Sequence, residues 1–97
     1  MYVTRLHANV AQDHWSHLQL QYDRLVHSLP EGLAETFLIQ NTEQPTSWEI
    51  LTFWQNEESY ERVRAQKKTE ACEQLFLAVD AIPELQEFRV RRGHQRL

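Results

Sequence analysis

The sequence predicts a single α+β domain with the element order β-α-β-β-α-β, which is the ferredoxin-like split βαβ arrangement. Three observations predict it. Four segments have the alternating or apolar pattern of strands, and two longer stretches repeat apolar residues at helical spacing. The strongest chain-breaking residues are few and fall between or after these segments: Pro30, Gly32, Pro45, Pro83 and Gly93. Four antiparallel strands with helices on one face are therefore expected.

A chain of 97 residues is long enough for one domain, predicted over 1–97. Apolar residues make up 41% of it, and three Trp, three Tyr and four Phe argue against intrinsic disorder. A domain of this length buries roughly two-thirds or less of the surface that its unfolded chain exposes. The core is therefore small, which favours burial of apolar surface against a second copy.

The first half of the chain predicts two strands around a helix. Residues 2–8 mix β-branched and aromatic residues with polar alternation, which is typical of a strand. From about Asp13 to Pro30, apolar residues at offsets of three and four predict a helix. Residues 34–41 predict the second strand, and the polar, proline-containing segment 42–47 predicts a hairpin loop. The helical stripe consists of Trp15, Leu18, Tyr22, Leu25, Val26 and Leu29.

Residues 48–54 form the strongest predicted strand, because they are nearly apolar on both faces. A strand that is apolar on both faces has to be covered on both. Helices cover one face, and nothing obvious in the chain covers the other, which carries either Leu51 and Phe53 or Ile50 and Trp54. The sequence therefore predicts a homodimer in which two sheets pair face to face.

The second half of the chain predicts a helix in two pieces and a last strand. Asn56 is a helix-capping residue, and two acidic residues follow it at the positive end of the helix dipole. The helix is predicted to break near 66–68, and Thr69 to cap a second piece over 70–80. Residues 86–92 predict the last strand, with Phe88 and Val90 on one side of it.

Composition excludes several functional classes. No apolar run reaches the roughly 18–20 residues of a membrane span, and nothing resembles a signal peptide. Cys72, the single cysteine, cannot form an internal disulfide or a thiolate metal site, so a cytoplasmic location is expected. Ten Lys and Arg against fourteen Asp and Glu argue against general nucleic-acid binding. Protection of a strand edge is the expected role of the terminal arginines Arg89, Arg91, Arg92 and Arg96.

Residues 51–60 read LTFWQNEESY, an apolar strand that ends in Trp54, followed by a polar step and a helix that carries Tyr60. This pattern resembles the antibiotic biosynthesis monooxygenase domain, and the resemblance extends over nearly the whole chain. It implies a dimeric α+β barrel with a pocket between helices and sheet in each subunit. It also implies oxygen chemistry without a metal or flavin, in which a deprotonated electron-rich phenol reduces O₂ directly.

The resemblance also implies site residues. Trp54 and Tyr60 match residues proposed to line the pocket of the anthrone oxygenases of this family. Two other positions differ in type, since an asparagine there is Ile50 here and an arginine is Gln74. The match to the haem-degrading relatives is poorer, because their haem-ligating histidine, helix tryptophan and first-strand asparagine correspond to Glu73, Val63 and Thr4. Haem oxygenation is therefore not expected.

An oxygenase without a cofactor needs an apolar pocket, a base and hydrogen-bond donors. The candidate catalytic residues are Trp54 with its indole N–H, Tyr60 with its hydroxyl, and His7 as the base. His7 shares its strand face with Val3 and Arg5, so it is a candidate to face a pocket. A carboxylate base remains open, and spacing does not choose among Glu35, Glu49, Glu73 and Glu87.

The leading functional hypothesis is a cofactor-independent monooxygenase that acts on a small aromatic, quinol-like substrate with O₂. No metal is expected, because His14 and His17, although spaced for one, have no third ligand at a suitable spacing. Two alternatives remain. The first is a non-oxygenase enzyme, such as an isomerase, or a small-ligand binder on the same fold. The second is a structural dimer without catalysis.

Overall fold

The computed structural model describes residues 1–66 and 70–96 as a four-stranded antiparallel sheet with helices on one face. The strands follow the order β2-β3-β1-β4 in the sheet, which confirms the predicted ferredoxin-like α+β fold. The elements in chain order are β1 (Tyr2–Asn9), α1 (Trp15–Leu25), β2 (Leu33–Gln40), β3 (Ser47–Trp54), α2 (Glu57–Ala65), α3 (Glu70–Leu77) and β4 (Glu84–Arg89).

The first helix is shorter than predicted and has a 3₁₀ turn at each end, Gln12–His14 and Val26–Ser28. Pro30 explains the tightened C-terminal end, because a proline has no N–H and disfavours helical conformation in the residue before it. Leu29 accordingly has an extended backbone. At the other end, Ala11 supplies no side-chain cap for the first turn.

The last helix ends at Leu77 rather than at Asp80. Asp80 has a φ of 58°, and its N–H donates to the Leu77 carbonyl over 3.1 Å. The N–H of Ala81 donates to the Phe76 carbonyl over 3.0 Å, which completes a Schellman motif. Aspartate tolerates the left-handed conformation better than most residues, so it ends the helix where glycine is more usual.

Other boundaries agree in part with the prediction. Asn56 caps α2, since its Oδ1 accepts a hydrogen bond from the Ser59 N–H over 2.8 Å. The predicted break near 66–68 and the predicted Thr69 cap involve residues 67–69, which lie outside the described residues. β4 starts and ends earlier than the predicted 86–92, because its partner β1 begins at Tyr2, which pairs with Arg89.

The two faces of the sheet differ in burial. On the helix side, alternate residues of β1 and β3 are buried, including Leu6, Ile50 and Trp54. The opposite side, called here the open face, holds Leu51 and Phe53, so this pair, rather than Ile50 and Trp54, is the one that the helices leave uncovered. The open face consists of Val3, Arg5, His7, Asn9, Glu35, Phe37, Ile39, Ser47, Glu49, Leu51, Phe53, Glu84, Gln86 and Phe88.

The core on the helix side has two parts. The larger part packs Leu18 of α1 and Phe76 of α3 against β1 and β3. The smaller part is an aromatic cluster of Tyr2, Trp54 and Tyr60 with Val63. No helix among the described residues is long and apolar enough to cross a membrane.

Candidate functional site: a cavity between sheet and helices

A cavity of about 520 Å³ lies between the helix side of the sheet and the helices. This volume is within the range of small-molecule sites in proteins. Its floor comes from the strands, and its walls come from the end of α1, from α2 and from the start of α3. The lining residues are Thr4, Leu6, Leu25, Ser28, Leu29, Pro30, Leu33, Thr36, Ile50, Thr52, Trp54, Tyr60, Val63, Arg64, Ala71, Cys72, Glu73 and Leu85.

Trp54 and Tyr60 lie together at one side of the cavity. Trp54 ends β3, and the Asn56 cap starts α2 so soon afterwards that Tyr60 packs against the indole. Their ring centroids are 5.3 Å apart in an edge arrangement, and Tyr2 stacks on Tyr60 at the same distance. Trp54 and Tyr60 are almost fully buried, with exposures of 3% and 2%. The indole N–H donates to Thr4 Oγ1 over 3.1 Å.

The Tyr60 hydroxyl is held by a carboxylate on the last strand. It donates to Glu87 Oε1 over 2.7 Å, and Arg64 Nη1 donates to the same oxygen over 2.7 Å. Tyr2 donates to Glu87 Oε2 over 3.2 Å. Burial raises the pKa of Tyr60, and the hydrogen bond to Glu87 and its negative charge raise that pKa further. Tyr60 is therefore protonated near neutral pH and is unsuited to act as a base.

The raised pKa of Tyr60 predicts a loss of stability at alkaline pH. Above its ordinary pKa of 10.0, an unfolded tyrosine loses its proton while the folded Tyr60 keeps it. Because the unfolded state then binds fewer protons, the free energy of unfolding falls as the pH rises above that value. Urea unfolding between about pH 10 and 12 should show that the free energy of unfolding falls less steeply with pH for Tyr60→Phe than for the wild type. A fall of equal steepness in both would contradict the assignment of this effect to Tyr60.

Four polar residues, called here the polar row, lie side by side across all four strands. Thr36 of β2 pairs with Thr52 of β3, Thr52 with Thr4 of β1, and Thr4 with Glu87 of β4. The Oγ1 atoms of Thr36 and Thr52 are 3.4 Å apart, and the Tyr22 hydroxyl donates to Thr36 Oγ1 over 3.4 Å. The three threonines form a hydroxyl-bearing strip in a largely apolar floor. No sequence pattern singles out this strip, because it depends on strand register.

His7 does not lie at the cavity. It shares a face with Val3 and Arg5, as strand parity predicts, but this is the open face. Its Nε2 is 2.7 Å from Ser47 Oγ. Strand alternation shows which residues share a face but not which face the helices cover. The sequence pattern of His7 therefore could not determine whether it faces a pocket.

The structure distinguishes the four candidate carboxylates. Glu73, on α3, lines the cavity. Glu87, beside the cavity, accepts the hydrogen bond of the Tyr60 hydroxyl. Glu35 and Glu49 lie on the open face, where a Glu49 carboxylate oxygen is 3.3 Å from Arg5 Nε. Among the described residues, Glu73 is therefore the acidic side chain with access to a molecule bound in the cavity. No spacing in the sequence singles it out, because its position depends on the packing of α3 against the sheet.

Cys72 is half-buried in the cavity wall. Burial, and then the negative charge of Glu73, raise the pKa of its thiol to about 11. The thiol is therefore protonated near neutral pH. A cysteine that acts as a nucleophile or metal ligand has to be a thiolate instead. Its role at the wall is that of a small, weakly polar side chain.

The described lining does not fit haem. None of the five histidines, all within the described ranges, lines the cavity, and the protonated Cys72 is a poor substitute ligand for haem iron. Within those same ranges, no three His, Cys, Asp or Glu side chains lie close enough to hold a metal ion.

Comparison with known proteins finds no matching family model and no matching curated protein. Solved structures do match. A candidate antibiotic biosynthesis monooxygenase from Deinococcus radiodurans is 15% identical, with a TM-score of 0.72 over 100% of this chain and 99% of that chain. SnoaB, a cofactor-independent oxygenase from Streptomyces nogalater, is 15% identical, with a TM-score of 0.71 over 95% of both chains.

The haem degrader MhuD from Mycobacterium tuberculosis is also 15% identical, with a TM-score of 0.77 over 98% of this chain and 100% of that chain. Solved proteins of this architecture therefore differ in chemistry, and the shared fold does not select one substrate. Across nearly its whole length, the chain has the fold of the antibiotic biosynthesis monooxygenase structures.

Proposed function

We propose that the protein is a cofactor-independent monooxygenase that oxidises a small aromatic, quinol-like molecule with O₂. The cavity beside Trp54 and Tyr60 carries this proposal, because it is large enough for such a molecule and mostly apolar. A mostly apolar lining limits the contact of a reactive carbanion with water. The likeness of the fold to SnoaB, a cofactor-independent oxygenase, supports the same reaction class.

The proposed reaction needs no reductant other than the substrate. A base removes a proton from an activated CH₂ group, and the resulting carbanion gives electrons to O₂ and forms a C–O bond. The peroxide then loses the second hydrogen of that carbon as its O–O bond breaks. The products are a ketone and one water, so the substrate carbon supplies the four electrons that reduce O₂.

Glu73 is the proposed base, because it places a carboxylate at the cavity wall. Trp54 supplies an aromatic wall, and Tyr60 supplies a second one whose hydroxyl stays protonated. His7 is not part of this proposal, since it lies on the open face. The substrate proton therefore passes to a Glu73 carboxylate oxygen.

Oxygen uptake with anthrone tests the proposal, because anthrone has an acidic CH₂ between two aromatic rings. We expect uptake above the uncatalysed rate, one O₂ per anthraquinone formed, and one labelled oxygen in the product from ¹⁸O₂. Glu73→Gln should lower the catalysed rate by about a hundredfold or more, since general bases contribute about 10²–10⁴-fold. Glu61→Gln, on the exposed surface of α2, is the matched control and should retain the rate. Equal rates in both variants would exclude Glu73 as the base.

A non-oxygenase enzyme or small-ligand binder is the second candidate. It is favoured by the hydrogen bonds of Trp54 to Thr4 and of Tyr60 to Glu87, because neither donor is free to polarise a substrate. Binding of anthrone without oxygen uptake by the wild type would support this candidate and overturn the oxygenase. A purely structural role is the least supported, since the described side chains leave the cavity open.

We further propose that the open face pairs with the same face of a second copy. Phe37 is 45% exposed there, and its ring meets Phe53 edge-on with centroids 6.1 Å apart. Ile39 and Phe88 are also more than two-fifths exposed on this face. Burying this apolar surface would add to the small core of the single chain.

Sedimentation at micromolar concentration tests the homodimer. The wild type should sediment as a dimer, and Phe37→Lys should sediment as a monomer because it places a charge in the apolar contact. Leu20→Lys replaces a similarly exposed residue on α1, at 48% exposure, and should remain dimeric. A monomeric wild type, or equal effects of both variants, would contradict pairing through the open face.

A further inference from the structure

We propose that the threonines of the polar row select ligands that carry a carbonyl or phenolate oxygen, by donating two hydrogen bonds to it from the cavity floor. This inference rests on the proposed function in one respect, that a small aromatic molecule occupies the cavity. It adds the group that the cavity recognises and the residues that recognise it, Thr4 and Thr52.

The hydrogen-bond inventory of the floor leaves two protons without acceptors. Each threonine hydroxyl has one proton to donate. Thr4 Oγ1 accepts from Trp54, and its own proton has no acceptor among the described residues. Thr36 and Thr52 share one hydrogen bond, and Thr36 also accepts from Tyr22. Whichever threonine donates in that shared bond, the proton of the other one remains without a partner in the described part of the chain.

Burial makes these free protons significant. Thr4 is 6% exposed and Thr52 is 5% exposed, and both line the cavity. A buried donor without an acceptor is unfavourable, so a bound molecule that supplies an acceptor gains affinity. A ligand that offers only hydrogen-bond donors, or only hydrocarbon, gains no affinity from these two hydroxyl protons.

The spacing of the two threonines fits one shared oxygen. Thr4 and Thr52 are directly opposite on neighbouring antiparallel strands, which places Cβ atoms about 5 Å apart. Hydroxyls carried on Cβ atoms at that separation are close enough for one ligand oxygen to accept a hydrogen bond of about 2.8 Å from each. A carbonyl oxygen can accept both bonds, because it has two lone pairs. When the Thr36 proton is the free one, the Thr52 hydroxyl can reverse its shared bond and donate to the ligand.

The aromatic walls of the cavity determine what kind of group should carry the ligand oxygen. Trp54 and Tyr60 stand beside Thr4, and Ile50 lies beyond Thr52 on the same strand face. A flat aromatic ring against these side chains can place a ring carbonyl or phenolate oxygen on the two hydroxyls. The ligand class is therefore an aromatic ketone, quinone or phenolate.

Equilibrium binding of two probes under nitrogen tests the inference apart from any turnover. The probes are 1-tetralone and tetralin, which share one carbon skeleton and differ in the carbonyl. Binding is followed by NMR through the Trp54 indole N–H signal of ¹⁵N-labelled protein. The wild type should bind 1-tetralone about tenfold more tightly than tetralin, in line with one or two net hydrogen bonds.

The double variant Thr4→Val/Thr52→Val should lose most of this preference through weaker binding of 1-tetralone, with tetralin binding unchanged. Thr4→Ser/Thr52→Ser keeps both hydroxyls, so it should keep the preference and serves as the matched control. Circular dichroism checks that both variants are folded. If the valine variant does not fold, the single Thr52→Val and Thr52→Ser pair carries the same comparison.

Three outcomes overturn the inference: equal wild-type affinity for both probes, an undiminished preference in the valine variant, or no binding of either probe. Failure of the oxygenase proposal has a different signature. Anthrone would then show no catalysed oxygen uptake, while the tetralone preference and its dependence on the threonine hydroxyls would persist.

Discussion

Replacing Trp54 with alanine should lower the free energy of unfolding by about 3 to 5 kcal/mol, the range for truncating a large buried aromatic side chain. The indole is 3% exposed and packs against Tyr60 and Val63, and its N–H bonds to Thr4. Truncation therefore removes dispersion contacts, leaves a void beside the cavity and takes the hydrogen bond from Thr4. Urea unfolding followed by far-UV circular dichroism measures the change.

Two conservative variants separate the packing of Trp54 from its hydrogen bond. Trp54→Phe keeps most of the ring contact and loses the bond to Thr4, so it should be destabilised by about 1 kcal/mol beyond its loss of area. Trp48→Phe is the matched control, because Trp48 is also buried and its N–H has no partner among the described residues. If Trp48→Phe is destabilised as much as Trp54→Phe, the bond to Thr4 contributes nothing measurable.

Replacing Gly32 with alanine should lower the free energy of unfolding by about 2 to 4 kcal/mol, from backbone strain and overpacking together. Gly32 has a φ of +92°, which side-chain-bearing residues rarely adopt. A Cβ at this position would also lie 2.6 Å from the Ser59 Cβ, in the first turn of α2. The loop has little room to move away, because the Gly32 carbonyl accepts from the Gln55 N–H over 3.0 Å.

The two glycines of the chain give an internal control for this prediction. A Cβ at Gly93 would meet only Val90 Cγ1 at 3.9 Å, so Gly93→Ala should change stability by less than about 0.5 kcal/mol. Adding Ser59→Gly to Gly32→Ala removes the clash but keeps the strain, so it should recover part of the loss. Equal unfolding midpoints for both single alanine variants would show that the loop relaxes freely.

The fold was predictable because its signals are local. Helical spacing around Leu18, a capping asparagine at 56 and an apolar third strand each determine a nearby element. The proximity of Trp54 and Tyr60 follows from the same local logic, since a strand end and a capped helix bring them together within six residues. The early end of α3 was harder to predict, because an aspartate takes the left-handed position there.

The site was predictable only where it depends on one element. The polar row requires the register of four strands, and none of its members is unusual in its own segment. The hydrogen bond of Glu87 to Tyr60 depends on the pairing of β4 with β1, and the position of Glu73 at the cavity depends on how α3 packs. His7 shows the same limit, because alternation fixes its neighbours on the strand but not the side on which the helices lie.

The cavity lining draws on every strand and on all three helices, from Thr4 of β1 to Leu85 of β4. Any opening of the fold therefore opens the cavity, and a bound molecule opposes each of these openings. Ligand binding is then linked to global unfolding, and a ligand at a hundred times its dissociation constant adds about 2.7 kcal/mol of stability. A rise in melting temperature across a library of aromatic ketones is accordingly a direct test of which of them the cavity binds.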